Sequence, residues 1–342
     1  MWFLSKKEEE ILNSIVIASE NDPLKPEFPA DNPKFPATPT YKIEIEGFDN
    51  VWLKDESFNP TWTHKDRMAW EIIVTYREFL LAKKRWQLKW DLPHMSIISS
   101  GSAAVAIQTQ LKKYWLPSLK VLLDTNTNKQ IIDTLLKLWA EVYKTDLSKR
   151  ELSWKDILQL TNNLNGFDIT SSDALSPTSV FYDWLSYEII NNSPDYCFIP
   201  FGTGNLYENI LNINRKEVTT KNHDPRFSGD VEKLRQCNFM WATTNDPNSK
   251  AAEKLYSPHL PFAHFQEQWI GLFKYSWFCG SKSDVYIIQE KYLDEAIDYA
   301  KKHNINAEPS ALAWLALFFQ TKHTIDKNAK ILIVSTGKAK LI

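Results

Sequence analysis

Hydrophobic and polar residues alternate with two different periods in the first part of the chain. The segment "YKIEIEG" (41–47) alternates with a period of two, which predicts a β-strand, and "VWLKDE" (51–56) predicts a second short strand. From Lys65 onward, apolar residues recur three and four positions apart, which predicts a helix over 65–86. The polar segment "NPTWTH" (59–64) is therefore a loop that leads from a strand into a helix.

Beyond residue 94, short apolar segments alternate with amphipathic ones. The predicted strands are "MSIIS" (95–99), "LKVLLD" (119–124), "EVYKT" (141–145), "YCFIPF" (196–201), "DVYIIQ" (284–289) and "KILIVST" (330–336). The predicted helices are 101–115, 128–140, 179–192, a helix within 202–213, 291–304 and 310–322. Strands and helices that alternate through short connections predict parallel sheets covered by helices. A polar stretch rich in Asn, Ser and Asp (146–178) predicts a crossing between two α/β lobes.

Composition excludes several classes of function. The 342 residues carry 40 Lys and Arg against 42 Asp and Glu, so the net charge of −2 gives no electrostatic reason to expect nucleic acid as a partner. The chain shows neither a membrane-spanning apolar run nor a signal peptide, which predicts a cytoplasmic protein. The three cysteines (Cys197, Cys237, Cys279) are widely spaced and the histidines lack ligand spacing, so we expect no disulfide framework and no metal site.

Glycine is scarce and tryptophan abundant, with 9 and 14 residues respectively. Four of the glycines, Gly101, Gly202, Gly204 and Gly337, follow predicted apolar strands. Backbone N–H groups at a helix start bind anions, so "SSGSAAVA" and "GTGNLYENI" are two candidate anion-binding turns. The second turn lacks the third glycine of a dinucleotide fingerprint and the Gly-Lys-Ser/Thr of a Walker loop, which favours a single phosphate over a pyrophosphate.

Several motifs, taken together and in this order, resemble the fold-type-II pyridoxal-phosphate (PLP) enzymes. They are "ATPT" (37–40), "VWLKDESFNPTWTHKDR" (51–67), "ISSGSAAVA" (98–106), "IPFGTGN" (199–205), "AEPSALAWLAL" (307–317) and "IVSTGKAKL" (333–341). This is the group of threonine synthase, threonine dehydratase, cysteine synthase and tryptophan synthase β. The lysine segment is most similar to that of threonine synthase, which reads like "NPTGSFKDR".

The resemblance implies a tryptophan synthase β-like fold. That fold has two three-layer α/β/α lobes with mostly parallel sheets and an active site in the cleft between them. We expect residues 68–170 to form the smaller lobe, with a substrate-carboxylate loop at 99–103. Residues 1–67 plus 171–342 are expected to form the larger lobe, which would carry Lys65, the 202–205 phosphate turn and Thr336. Family members of this kind are commonly homodimers.

The resemblance also implies roles for individual residues. Lys65 matches the catalytic lysine that forms the Schiff base with PLP. Thr336 matches the residue whose hydroxyl faces the pyridine nitrogen, with Ser335 as the alternative. The residues that match the phosphate turn are Gly202, Thr203, Gly204 and Asn205. The residues that match the substrate-carboxylate loop are Ser100, Gly101, Ser102 and Ala103.

The substrate side of this expected site departs from the family pattern. Trp62 stands where the family usually has glycine, and His64 replaces the usual phenylalanine; we expect both to contact substrate. Ser102 replaces the asparagine that contacts the cofactor's phenolic oxygen, and Ala104 also differs.

Three hypotheses follow for function. In the first, the chain is a PLP-dependent lyase or transferase that acts on a small L-amino acid by β- or γ-elimination or replacement. In the second, it is a pseudoenzyme that binds PLP or an amino acid without turnover, because its carboxylate loop is altered. In the third, it is another α/β enzyme with a nucleotide ligand, a hypothesis that rests on "GTGN" alone.

Overall fold

The structure is a computed structural model that describes residues 4–15, 35–88, 90–150, 152–170, 181–256 and 282–338. The chain divides into two compact units. The first unit contains Met1–Pro36, Lys65–Phe181 and Leu341–Ile342, and the second contains Ala37–His64 and Tyr182–Lys340. The polypeptide thus passes from the second unit to the first between His64 and Lys65. The lobe boundaries given above stay a prediction.

The first unit is built on a four-stranded parallel sheet in the order β5-β4-β3-β6. Its strands are β3 (Met95–Ile98), β4 (Lys120–Asp124), β5 (Glu141–Thr145) and the two-residue β6 (Phe167–Asp168). Its helices are α1 (Lys6–Ser14), α2 (Lys65–Lys84), α3 (Ser102–Lys113), α4 (Lys129–Lys137) and α5 (Trp154–Leu160). Strands β3 and β4 are almost entirely buried, because helices cover the sheet.

The second unit contains a six-stranded sheet in the order β1-β2-β10-β7-β8-β9. Only β1 pairs antiparallel, with β2, and the remaining pairs are parallel. The strands are β1 (Thr40–Ile45), β2 (Phe48–Asp55), β7 (Tyr196–Pro200), β8 (Asn238–Thr243), β9 (Lys282–Ile287) and β10 (Ile331–Ser335). The helices are α6 (Asp183–Ile190), α7 (Asn205–Thr219), α8 (Val231–Gln236), α9 (Ala252–Leu255), α10 (Glu290–Lys302) and α11 (Ala313–Thr321).

The predicted mixed α/β class with mostly parallel sheets is confirmed. The hydrophobic pattern predicted neither β6 nor β8, which lies between β7 and β9, and it did not predict helices α1, α5, α8 and α9. Helix α1 is held by a capping box between Ser5 and Glu8, so it forms although its composition is mostly charged.

The three helices predicted for the first unit all extend too far at their carboxyl ends. The predictions reached Trp86, Trp115 and Ala140, whereas the helices end at Lys84, Lys113 and Lys137. In each case the backbone turns into the left-handed region at a tryptophan just beyond the helix. The prediction for 310–322 was also imprecise, because a 3₁₀ turn (Pro309–Leu312) precedes α11.

Three neighbouring strands of the second unit end at the same edge of its sheet. Ser335 at the end of β10 is opposite Asp55 at the end of β2, and β10 also pairs parallel with β7. Loops that follow these strands therefore lie close together, in the position where ligands bind to parallel α/β sheets. Among the described helices, none is long and apolar enough to cross a membrane.

Candidate active site

The segment that precedes Lys65 is fixed to the end of strand β10. Thr63 and Gly337 form an antiparallel bridge. The backbone N–H of His64 donates a hydrogen bond of 2.9 Å to the carbonyl oxygen of Thr336. The ring nitrogen Nδ1 of His64 lies 3.0 Å from the same oxygen. Lys65 follows as the partly buried first residue of α2.

Trp62 adopts a backbone conformation that is unusual for its residue type. Its φ angle is 59°, in the left-handed region. Its carbonyl oxygen accepts a hydrogen bond of 3.0 Å from the N–H of Lys338. A Cβ at Gly337 would lie only 2.7 Å from that oxygen, so glycine is required where the two segments meet.

A buried carboxylate holds the start of this segment. Glu56 is fully buried, and its Oε1 accepts a hydrogen bond of 2.5 Å from the hydroxyl of Thr38. Its Oε2 accepts one of 2.8 Å from the side-chain amide of Asn59. The same amide also donates to the carbonyl oxygen of Thr63 over 3.1 Å. Glu56 and Asn59 therefore fix the loop whose far end is Lys65, although the sequence analysis gave neither of them a role.

The charge of Glu56 is balanced by Lys54, which is also buried. The ammonium of Lys54 lies 3.9 Å from Glu56, and it donates to the carbonyl of Thr38 and to the carboxylate of Glu188. Tyr182 is another neighbour that the sequence analysis missed, with its ring 5.4 Å from that of His64. Burial, together with the charge of Glu56, raises the pKa of Tyr182 far above its ordinary value, so this hydroxyl stays protonated.

The turn at 202–205 has the geometry of an anion-binding turn. It follows β7, and Gly204 (φ 87°) caps the 15-residue helix α7. The first N–H groups of a helix have no partner within the helix, so they face whatever the turn binds. A Cβ at Gly202 would lie 2.8 Å from the carbonyl oxygen of Lys254, so the turn packs too closely for a side chain there. The turn therefore fits a phosphate group such as that of PLP.

Thr336 lies at the same sheet edge as this turn. It directly follows β10, which is the neighbour of β7. The side chain of Ser335 is almost completely buried, whereas Thr336 is half-buried. Within the second unit, the fold thus places Trp62, His64 and Thr336 at the edge that carries the 202–205 turn. The functional roles assigned to these residues stay predictions.

The predicted carboxylate loop belongs to the first unit, between β3 and α3. Gly101 has a φ angle of 132° and caps α3. The hydroxyl of Ser99 accepts hydrogen bonds from the N–H of Gly101 (3.0 Å) and from the N–H of Ala104 (3.3 Å). Ser100, Ser102 and Ala103 complete this turn. Ser99 lies inside the predicted 99–103 loop, and its hydroxyl holds the turn, a role that was not predicted for it.

Comparison with known proteins identifies the family. The family model described as "Pyridoxal-phosphate dependent enzyme" matches residues 34–337. The chain belongs to this family. The cofactor predicted from the sequence, PLP, is thereby confirmed, as is the fold-type-II class. No curated protein matches the chain by sequence.

Solved structures share this fold at low sequence identity. A hydrogen sulfide-producing enzyme from Fusobacterium nucleatum superposes with a TM-score of 0.60 at 17% identity, over 89% of this chain and 96% of that one. Diaminopropionate ammonia lyase from Escherichia coli, solved with an aminoacrylate–PLP intermediate, gives 0.60 at 12% identity over 98% and 89%. Serine racemase from Dictyostelium discoideum gives 0.54 at 18% identity over 85% and 87%. At these identities the similarity establishes the fold alone.

Proposed function

We propose that this PLP-dependent enzyme acts on a small L-amino acid by β- or γ-elimination or replacement, in the manner of threonine synthase, with Lys65 as its catalytic lysine. The observation that carries the proposal is the anchoring of His64 to Thr336. That contact holds the backbone before Lys65 at the sheet edge that bears the 202–205 turn. The solved structures that share the fold include a lyase, a racemase and a sulfide-producing enzyme, which supports chemistry on amino acids.

The residues of the site divide the work among binding, orientation and proton transfer. The backbone N–H groups of Gly202, Thr203, Gly204 and Asn205 would hold the phosphate of PLP, and the hydroxyl of Thr336 would interact with its pyridine nitrogen. When bound, PLP supplies an aldehyde for covalent attachment and a ring that withdraws electrons from the substrate α-carbon. The amine of Lys65 then takes and returns the proton at that carbon.

The substrate is held by residues of two segments. The turn at Ser100–Ala103 binds the substrate carboxylate through its backbone N–H groups and the hydroxyl of Ser102. His64 directly precedes Lys65 and position 62 lies three residues before it, so the residues at these two positions are proposed to influence which substrate side chains are accepted.

Visible absorbance tests the role of Lys65. Protein incubated with PLP and then desalted is expected to keep the absorbance of lysine-bound PLP, and Lys65→Ala is expected to lose it. Lys84→Ala is the matched control, since Lys84 belongs to the same helix but is solvent-exposed and paired with Glu9. Absence of PLP absorbance in the unsubstituted protein, or its persistence in Lys65→Ala, would refute the assignment.

The substrate is identified by adding candidate amino acids to the PLP-loaded protein. O-phosphohomoserine, O-acetylserine, serine and threonine differ in leaving group and chain length. A true substrate changes the absorbance of the bound cofactor and yields a 2-oxo acid, threonine or a β-substituted product that chromatography detects. Turnover of none of these would leave the elimination and replacement chemistry unsupported.

One observation favours a second candidate function, an amino-acid-binding pseudoenzyme. Ser99 engages the N–H groups of Gly101 and Ala104, two donors of the loop that is proposed to hold the substrate carboxylate. A spectral change with amino acid but without product would support this candidate. We also propose that the protein works as a cytoplasmic homodimer, which analytical ultracentrifugation and cell fractionation test.

A further inference from the structure

Helix α3 ends in a Schellman motif that has tryptophan at its left-handed position. The N–H of Trp115 donates to the carbonyl of Lys112 (3.3 Å), and the N–H of Leu116 donates to the carbonyl of Leu111 (3.0 Å). These are the two hydrogen bonds that define the motif. Trp115 itself has a φ angle of 53°. Glycine is the usual residue at this position, because a Cβ is strained there.

Helix α2 ends in the same way. The N–H of Trp86 donates to the carbonyl of Lys83 (3.1 Å), and the N–H of Gln87 donates to that of Ala82 (2.9 Å). The φ angle of Trp86 is 66°.

Helix α4 repeats the arrangement. The N–H of Trp139 donates to the carbonyl of Leu136 (2.9 Å), and the N–H of Ala140 donates to that of Leu135 (3.0 Å). The φ angle of Trp139 is 72°. Three helices of the first unit therefore place tryptophan at a position that demands glycine.

Two other helices show what this chain otherwise uses at that position. Helices α5 and α10 end in the same hydrogen-bond pattern, with Asn162 (φ 48°) and Asn304 (φ 55°) as the left-handed residues. Asparagine is the accepted substitute for glycine there, because its side chain tolerates the conformation. Tryptophan has no such property.

The active-site segment contains a fourth case. Trp62 has a φ angle of 59°, and it occupies the position at which the similar lysine motif of threonine synthase has glycine. Motif position and backbone angle are independent observations, and both point to glycine at this residue.

Packing does not explain the three tryptophans at helix ends. Trp86, Trp115 and Trp139 are 52%, 62% and 68% exposed, so none of them is a core residue; the ammonium of Lys112 lies 4.1 Å from the ring centroid of Trp139. By contrast, Trp70 and Trp184 lie inside helices and are 6% and 7% exposed, as expected for aromatic core residues.

The glycine content of the whole chain agrees with this interpretation. Nine glycines in 342 residues are less than half of the usual share of about 7%. The chain is poor in glycine and carries tryptophan at positions that favour glycine. Both observations are explained if one codon that specifies glycine has been read as tryptophan. The codon UGA, a stop signal in the standard genetic code, is decoded as tryptophan in some codes and as glycine in others.

We propose that positions 62, 86, 115 and 139 are glycine in the functional protein, and that each is encoded by UGA and decoded as glycine where the protein is made. This inference goes beyond the proposed function and does not depend on it. Glycine at 62 restores the family pattern in the lysine segment and removes an indole three residues before Lys65. The substrate preference of the functional protein is then not limited by a side chain at 62.

The codons and the natural protein provide the direct test. We expect UGA at the four positions and UGG at Trp70 and Trp184, which have helical backbones and buried side chains. Mass spectrometry of peptides from the natural source is expected to show glycine at 62, 86, 115 and 139. UGG codons at these four positions, or tryptophan in the natural peptides, would overturn the proposal.

A stability comparison tests the physical basis without any cofactor. Trp115→Gly is expected to raise the melting temperature by about 2–4 °C, because it removes left-handed strain at an exposed residue. Trp115→Ala removes the indole but keeps the Cβ, so it is expected to give no comparable rise. Trp154→Gly is the control at an exposed tryptophan with helical φ, where glycine is expected to destabilise.

The pattern of outcomes is decisive. A rise with glycine alone supports a glycine position. An equal rise with alanine would show that the indole and not the backbone angle carries the strain, and it would overturn the structural argument. If the tryptophan-containing chain does not fold, the chain with glycine at all four positions is expected to give soluble, cooperatively unfolding protein, and failure of that variant to fold contradicts the proposal.

Discussion

The carbonyl oxygen of Thr336 accepts a hydrogen bond of 2.9 Å from the backbone N–H of His64, two residues that are far apart in sequence. This contact joins the loop after β2 to the end of β10. The next residue, Lys65, starts helix α2. The segment that leads into the proposed catalytic lysine is therefore held by a backbone contact of the residue before it.

Gly337 is expected to be essential for this junction. In Gly337→Ala, the new Cβ would lie 2.7 Å from the carbonyl oxygen of Trp62, and the φ angle of 155° is already unfavourable for a side chain. We expect a loss of about 1–3 kcal/mol in the free energy of unfolding, together with weaker PLP binding. Urea denaturation and PLP titration measure the two effects.

Gly47→Ala provides the control for backbone strain alone. Gly47 has a φ angle of 83°, but no atom lies within 4 Å of its ideal Cβ. It lies in the β1–β2 turn, so its substitution is expected to leave PLP affinity unchanged. Equal effects of the two substitutions on PLP affinity would show that the Trp62–Gly337 contact does not position the site.

The amide of Asn59 is expected to position the same loop from the other side. Asn59→Ala leaves the buried carboxylate of Glu56 and the carbonyl of Thr63 without this donor. The expected cost is about 1–3 kcal/mol of stability, since a buried group loses its hydrogen bond. PLP affinity is expected to fall as well. Asn50→Ala, which removes a partly exposed hydrogen bond to Trp52, is expected to change neither by a comparable amount.

The sequence predicted the parts of the fold that depend on hydrophobic periodicity. Strands β3, β4, β7 and β10 are short and nearly continuous in apolar residues, and each was found close to its predicted bounds. Helix ends were less well predicted. The carboxyl ends of α2, α3 and α4 carry tryptophan where a glycine would have signalled a stop, so the apolar pattern continued past the true end.

Only those residues of the candidate site that belong to recognisable sequence motifs could be predicted. The sequence indicated Lys65, the 202–205 turn and Thr336, but not the support given by Glu56 and Asn59. Those contacts belong to a buried hydrogen-bond network. Its residues follow no helix or strand periodicity, so the sequence pattern does not indicate which side chains meet. Ser99 also has no clear sequence signal, because the N-cap of α3 is Gly101 and Ser99 lies two residues before it.

The close approach of Gly202 to the backbone of Lys254 leads to a prediction for cofactor binding. In Gly202→Ala, the Cβ would lie 2.8 Å from the carbonyl oxygen of Lys254 and would displace the turn. We expect PLP affinity to fall roughly tenfold or more, about 1.4 kcal/mol per factor of ten. Fluorescence or absorbance titration with PLP measures the loss.

Gly229→Ala is the matched control for that substitution. Its Cβ would lie the same 2.8 Å from a backbone carbonyl, that of Ile190, but outside the 202–205 turn. Both variants are expected to lose stability, and only Gly202→Ala is expected to lose PLP affinity. Similar affinity losses would mean that the effect is global and that the turn does not bind the phosphate.

Two carboxylates that share Arg226 are expected to give opposite pH dependence of stability. Desolvation raises the pKa of Asp183 to about 6, although Arg226 lies 3.2 Å away and opposes the shift. Asp224 is also desolvated, but two hydrogen bonds from the Arg226 guanidinium (2.8 and 2.9 Å) hold its pKa below the usual range. The signs of the two contributions follow from these directions.

A raised pKa means that Asp183 stabilises the folded state at low pH and loses this contribution as the pH rises through about 6. The unfolding free energy of the unsubstituted protein minus that of Asp183→Asn should therefore fall between about pH 4 and pH 6, by on the order of 2–3 kcal/mol. For Asp224, the unfolding free energy of the unsubstituted protein minus that of Asp224→Asn should instead fall as the pH drops below about 4. Urea denaturation across this range measures both, and a difference for Asp183→Asn that stays constant or rises with pH would contradict the desolvation of Asp183.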